Sequence, residues 1–458
     1  GALTYGPNGT AIESRRISCF EGMTELDILG GMLPNKDGGF TWHDGQGLKA
    51  WREGYRLVID EIDRANGDVL SLLLALTDSE ESAIIEHPDT GDTARSHSNN
   101  GSTFFSFNRN KKYLALDLRK PGGKKIFEQL VAKSDVVFDN FAPGALKRLG
   151  LDYEWGRKIN PRIIYCSVKG FLPGPYGDRP FLDELAQMAG GLAYLTGMKD
   201  QPMRAGASIT DIGAATYGVI GILSALYRRE HTGVGDNIEA GLYETIVFWV
   251  SQYITGAQMS GVNPPPRGTR TSGMGDTMGW GVYRLFPTRD EKQIFIAVTG
   301  NRHWAGLCDA LGFDDWKKLP EFNSNRKRSA QKPRIAERVK AVVETLPYDE
   351  VAERLYKALV PFSPVNTPLD LINEKQMNEG NRWMNLKVGD KQFKLPKLPI
   401  SMGQTADFAV REQPGNLGEH TDAILAALGY SAADVRKLKS EQVVLRSEQM
   451  LNTEVRTE

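Results

Sequence analysis

The chain has 458 residues, 40% of them hydrophobic and 25% charged, with a formal net charge of -1. That length suits two or three domains at about 100–200 residues each, and the composition is globular rather than disordered. Near-neutral charge argues against a nucleic-acid or membrane surface. Three scattered cysteines, Cys19, Cys166 and Cys308, argue against a disulfide framework or a structural metal site and fit a reducing, cytoplasmic compartment.

Residues 1–54 are Gly-rich and weakly periodic and read as an N-terminal extension, with no basic-then-apolar leader at its start. A large α/β unit is expected over 55–245. Strands at 82–87, 113–118, 135–141 and 161–171 alternate with helices at 121–134 and 144–150. This alternation implies βαβ units and a parallel sheet, and Pro121 suits the first position of its helix. Residues 180–197 read as a helix broken by glycine. The apolar stretch 212–227 falls short of the roughly 20 residues that span a bilayer and ends in Arg228, Arg229 and Glu230, so it reads as a buried helix. Residues 232–254 read as a turn, a strand and another helix.

Composition then shifts. Residues 261–278, rich in Gly, Pro and Arg, read as a linker plus a glycine loop. A smaller α+β unit is expected over 262–375, with a hairpin (281–287 and 292–300) and helices near 301–312, 332–346 and 348–359. Residues 385–458, with a helix at 420–430, return to the large unit.

Taken singly, the polar candidates have plain readings. Asp211 opens an apolar helix, where Asp is a favoured N-cap. Asp183 reads as a charge at a helix start, Arg119 and Arg148 as solvated surface charge, and Gly273 and Gly275 as turn material. Phe248, Trp249 and Tyr253 read as core.

Several segments together change those readings. HPDTGDTAR (87–95), FSFNRNKKYLALDLRKPGGKKIFEQL (105–130), DVVFDNFAPGALKRLGLDYE (135–154), NPRIIYCSVKGF (160–171), DELAQMAGG (183–191), YRREHTGVGDNIEAGLYE (227–244), PVNT (364–367) and GEHTDAILAALGY (418–430) resemble, in order, the class III CoA-transferase family. This group includes formyl-CoA and carnitine CoA-transferases and succinyl-CoA-dependent members such as benzylsuccinate CoA-transferase. The resemblance implies a Rossmann-like large domain plus a smaller α+β domain, in an interlocked-ring dimer of identical or related subunits. It implies an acyl-CoA donor and a carboxylic acid acceptor, coenzyme A as co-substrate, and no metal.

The resemblance also assigns roles. Asp211 becomes the nucleophile, in the ionised form that a helix start favours. Gly273 and Gly275 become part of a loop over the active site. His87, Leu116, Arg119, Asn140, Phe141, Arg148 and Lys169 are expected along the CoA path, with Arg179 a further basic candidate. Asp183 is expected to orient the nucleophile or substrate.

The family's opening strand, Gly-Pro loop and helix correspond to 57–88 here, but the Gly-Pro is absent. A divergent subunit of a heteromer, or a non-catalytic partner chain, would account for that. An acyl-CoA racemase, the other activity on this fold, needs a histidine opposite an aspartate. The histidines are 43, 87, 97, 231, 303 and 420, none of them between 98 and 230, which argues against it.

Overall fold

The computed structural model describes residues 83–88, 91–95, 98–268, 279–401 and 409–444, together with the backbone of strands between Thr4 and Asp60. Those early strands are β1 (Thr4–Tyr5), β2 (Ala11–Ile12), β3 (Ser14–Ser18), β4 (Gly30–Pro34), β5 (Phe40–Asp44) and β6 (Arg56–Asp60). β1 pairs with β2 and β4 with β5, both antiparallel, while β3 and β6 run parallel.

The apolar runs further along form parallel pairs, as strands buried on both faces do. β7 (Ala83–Glu86) lies beside β8 (Lys112–Ala115). β9 (Val136–Asp139), β10 (Ile164–Lys169) and β11 (Asp236–Gly241) make a second sheet with β10 in the middle. The sequence reading expects one parallel sheet; the strands from β7 to β11 fall in two, separate from the parallel pair β3–β6. β6, in the stretch read as the family's opening, pairs with β3 rather than with β7 or β9, so among the described residues no hydrogen-bonded strand joins the halves.

A shared core nevertheless bridges them. α1 (Ser98–Phe107) precedes β8, and α2 (Pro121–Lys133) connects β8 to β9. Ile126, Phe127 and Val131 of α2 pack with Leu114 from β8, Ile163 and Tyr165 at β10, and the half-buried Ile85 and Val137. The apolar spacing of α2 puts these residues on one face. α3 (Ala145–Leu149) and α4 (Tyr153–Ile159) follow β9.

Gly123, at the start of α2, is required by its surroundings. A Cβ there would lie 2.0 Å from the carbonyl oxygen of Asp117, a backbone atom that cannot give way. Gly123→Ala should therefore destabilise the chain by about 2 kcal/mol or more and disturb the Asp117–Arg119 turn. A lowered thermal midpoint together with faster exchange of the Arg119 amide, which donates to Asp117 Oδ1, would check both effects.

The 180–197 helix is split, as its glycines suggest, into α5 (Asp183–Ala189) and α6 (Leu192–Thr196). α7 (Ile209–Thr232) then crosses back to β11. It is the one described helix long and apolar enough to cross a membrane. Its Ala214, Ala215, Val219, Ile222 and Ala225 instead pack on Ile164, Cys166 and Val168 of β10 and Ala240 of β11. α8 (Leu242–Trp249) and α9 (Ser251–Ser260) complete this part.

A separate core lies between residues 282 and 360. The hairpin β12 (Val282–Pro287) and β13 (Gln293–Val298) is extended by β14 (Phe362–Pro364). It is covered by α10 (Asn301–Leu311), α11 (Lys332–Val343) and α12 (Tyr348–Lys357). β15 (Trp383–Val388) and β16 (Lys391–Pro396) form a further hairpin. The chain then returns to the first core. Asn110 Nδ2 donates to Ala409 O, Arg95 Nη1 to Gly415 O, and the Ala115 amide to Thr421 Oγ1. Leu425 of α13 (Thr421–Ala427) and Val435 and Leu438 of α14 (Ala432–Ser440) enter the core around α2.

Lys111 sits inside this junction, fully buried, with Nζ donating to Asn108 Oδ1 at 2.8 Å. Burial pushes its ammonium down to about 7, against the pull of the Asp92 and Glu86 carboxylates. Between that value and the ordinary lysine range the unfolded chain holds a proton that the folded chain has released. Stability from this group therefore rises with pH. Denaturant unfolding should show a gain of about 1–2 kcal/mol from pH 7 to roughly 8.5 in wild type relative to Lys111→Met.

Candidate active site

α7 runs antiparallel to the strands it covers, and its C-terminal end fixes this orientation. Arg229 Nη2 reaches Asp135 Oδ1 at 2.7 Å, and Nη1 donates to Arg162 O at 3.0 Å. Asp135 and Arg162 immediately precede β9 and β10, so the start of α7 lies at the carboxyl ends of those strands. That edge is where open α/β sheets bind ligands. α2 begins after β8 and ends before β9, which puts the carboxyl end of β8 on the same side.

Asp211 is 4% exposed and occupies the third position of α7. The N-cap reading is corrected here: the cap position belongs to Ser208, whose side chain makes no capping bond. The capping acceptor comes from another helix. Asp183 Oδ1 accepts the Thr210 amide at 2.7 Å and the Asp211 amide at 3.4 Å. Asp183, 3% exposed, also takes Gln187 Nε2 at 2.6 Å on its other oxygen and has Arg204 at 3.7 Å. Gln187 in turn accepts the Ala205 amide at 2.8 Å. One buried carboxylate thus fixes both the first turn of α7 and, through Gln187, the segment leading into it. The Thr210 hydroxyl is buried without a hydrogen-bond partner among the described residues.

The other candidates fall into clusters along the same edge. Beyond β8, Asp117 accepts Arg119 Nε and Nη2 at 2.9 Å, and Arg119 Nη2 donates to His87 Nε2 at 2.6 Å. The guanidinium holds the Asp117 carboxyl below the usual carboxylate range. Part of the Arg119 charge is therefore already balanced within the chain. Leu116 is 2% exposed and packs in the core, so its side chain is not presented at this edge.

Beyond β9, Phe141 is an exposed aromatic next to Asn140. Arg148, on α3, is exposed and donates to Pro143 O at 2.9 Å. Lys169, at the end of β10, bonds Asp139 Oδ1 at 2.8 Å and Phe141 O at 3.0 Å. Gly273 and Gly275 lie outside the described residues. Sequence reasoning missed Asp117, Asp139 and Gln187 as organising groups. Each had a weak signal, since all three lie inside segments that carry the resemblance: Asp139 in DNF, Asp117 in LALDLRK and Gln187 in DELAQMAGG.

Residues 83–421 match the model of CoA-transferase family III. Residues 12–110 match a second model, the AAA domain of the dynein-related subfamily, which overlaps the first from 83 to 110. The chain is 30% identical over 371 residues to the succinyl-CoA–L-malate CoA-transferase beta subunit of Chloroflexus aurantiacus, covering 79% of this chain and 90% of that one. It is 29% identical over 392 residues to formyl-CoA:oxalate CoA-transferase of Rhodopseudomonas palustris, covering 77% and 88%. Among solved structures, a CAIB/BAIF family protein from Brucella suis superposes with a TM-score of 0.68 at 28% identity, over 80% of this chain and 99% of that one.

Proposed function

Since the chain belongs to CoA-transferase family III, we propose that it moves CoA from an acyl-CoA thioester to a free carboxylic acid through its own Asp211. The observation that carries this reading is the placement of Asp211 on the first turn of α7, at the carboxyl edge, with its backbone fixed by Asp183.

The Asp211 carboxylate attacks the thioester carbonyl, breaking the C–S bond and forming an aspartyl–acyl anhydride and CoA thiolate. The thiolate attacks the aspartyl carbonyl of that anhydride, releasing the donor acid and leaving an aspartyl-CoA thioester. The acceptor carboxylate then attacks this thioester, and the returning thiolate takes the new acyl group and restores Asp211. Covalent catalysis divides one hard exchange into easier ones. Each step passes through an oxyanion that needs fixed donors, a role we give to the loop holding Gly273 and Gly275. His87, Arg119, Asn140, Phe141, Arg148 and Lys169 line the proposed CoA path.

Asp211 is buried in the single chain, so entry of the thioester requires movement of the groups that cover it. The names of the relatives make succinyl-CoA and formyl-CoA the first donors to test, with L-malate and oxalate as acceptors. A cytoplasmic location and a division into 55–245 with 385–458 against 262–375 belong to this proposal.

An interlocked dimer belongs to it as well. Ile220, Leu223 and Tyr227 of α7, Phe248 of α8 and Met259 of α9 are exposed apolar side chains that a second subunit would cover. The second reading is a subunit of a heteromer, favoured by the beta-subunit name of the Chloroflexus relative. Incubating the purified chain with succinyl-CoA and labelled malate, and separately with formyl-CoA and labelled oxalate, tests the first reading. Labelled acyl-CoA should form without any other protein. Formation only after addition of a related subunit supports the second.

A further inference from the structure

The end of β9 carries a carboxylate that the transfer chemistry leaves unused. Asp139 is 4% exposed. It pairs with Ser167 in the parallel register of β9 and β10, and the hydroxyl of Ser167 donates to Asp139 Oδ2. Lys169, two residues further along β10, points to the same face, and its ammonium bonds Asp139 Oδ1 at 2.8 Å. The same Oδ1 accepts the Phe141 amide at 3.1 Å, and Lys169 Nζ also bonds the Phe141 carbonyl at 3.0 Å.

Phe141 is thus held at both of its backbone polar groups, one by each member of the ion pair. Asn140 forms the apex between Asp139 and this clamp. The Lys169 side chain is 15% exposed and the Asp139 side chain 3%, so the charges are held largely out of water, where such bonds are strongest. The ammonium is committed to Asp139 and a carbonyl before any ligand arrives.

We propose that Asp139 is a positioning residue for CoA, presenting Asn140 and Phe141 to it, and that Lys169 acts through the same clamp rather than as a phosphate ligand. This rests on the CoA-transfer reading, since the ligand is CoA. Asp139 and Lys169 fix the loop as a unit, so their effects on CoA binding should not add.

The test uses the full chain, with CoA itself as the calorimetric probe and Asp139→Ala, Asp139→Asn, Lys169→Met and the double Asp139→Asn/Lys169→Met as variants, below the thermal midpoint of each. Asp139→Asn keeps an acceptor for the Phe141 amide and guards against loss of the fold. Asp139→Ala should weaken CoA binding by about 10–100-fold, raising KM for acyl-CoA while KM for the acid and kcat stay within about threefold. The double variant should lose little beyond the worse single one. A general loss of structure would move both KM values alike. CoA affinity unchanged to within about twofold in every Asp139 variant, or equal rises in both KM values, overturns the proposal. Should wild type bind no CoA, the transfer reading itself falls. Amide exchange at Phe141 then decides the positioning claim: acceleration in Asp139→Ala supports it, and unchanged exchange defeats it.

Discussion

Asp211→Ala should lower CoA transfer by at least about a thousandfold while leaving the fold and CoA affinity nearly as they are. The size follows from the role: without the carboxylate, neither the anhydride nor the aspartyl thioester can form, and the whole covalent route is lost. Survival of the fold follows from the site. Asp183 bonds the backbone amides of Thr210 and Asp211, which the substitution keeps, and alanine is the best helix former. Asp211→Asn keeps the shape and removes the charge, and should be nearly as inactive. Transfer assays alongside thermal unfolding and CoA calorimetry check all three statements. An Ala variant with more than about a tenth of wild-type turnover would be incompatible with a nucleophilic role.

Asp183→Ala should cost both activity and stability. It strips the acceptor from the Thr210 and Asp211 amides and from Gln187 Nε2. These donors lie in a buried region, where an unmet donor costs about 1–3 kcal/mol. The first turn of α7 should then loosen and carry Asp211 off line, with transfer falling by about 10–100-fold. Asp183→Asn retains an acceptor oxygen and should lose less of each. Thermal midpoints and kcat for the two variants check this order. Equal activity of Asp183→Ala and wild type would show that the first turn of α7 holds its place without this carboxylate.

How much of this was readable in the residues depended on whether the determining contact is local. The run IIYC at 163–166 is apolar without alternation, which is the pattern of a strand covered on both faces, and β10 lies there. The helices α2, α7, α10, α11 and α12 announce themselves by period and by Pro121, Gly233 and Gly312 at their ends. By contrast α1, SNNGSTFFSF, has no apolar stripe to read. The β15–β16 hairpin is marked only by the Gly389–Asp390 turn, with Gly389 at φ +57°. The N-cap reading of Asp211 was three residues off because the true acceptor, Asp183, lies 27 residues away in sequence. No local pattern encodes such a partner. The Asp139–Ser167–Lys169 clamp likewise exists only once β9 and β10 are in register.

The N-terminal stretch is a different case. Residues 57–88 were read against a single family, yet 12–110 also match an AAA domain model. β6 finds its partner in β3, within that match. A strand pairs by edge and register, and Arg56–Asp60 carries an apolar run, Leu57–Ile59, suited to either neighbourhood. Its sequence alone did not choose between them.

If Asp211 takes an acyl group from sulfur, its carboxyl is activated during turnover and can be trapped on that residue. The chain is incubated with succinyl-CoA or formyl-CoA, quenched in hydroxylamine, digested, and its peptides weighed. A hydroxamate is expected on the peptide containing Asp211, dependent on acyl-CoA and missing from Asp211→Ala. A hydroxamate on a different carboxylate, formed while Asp211 stays unmodified, would contradict it.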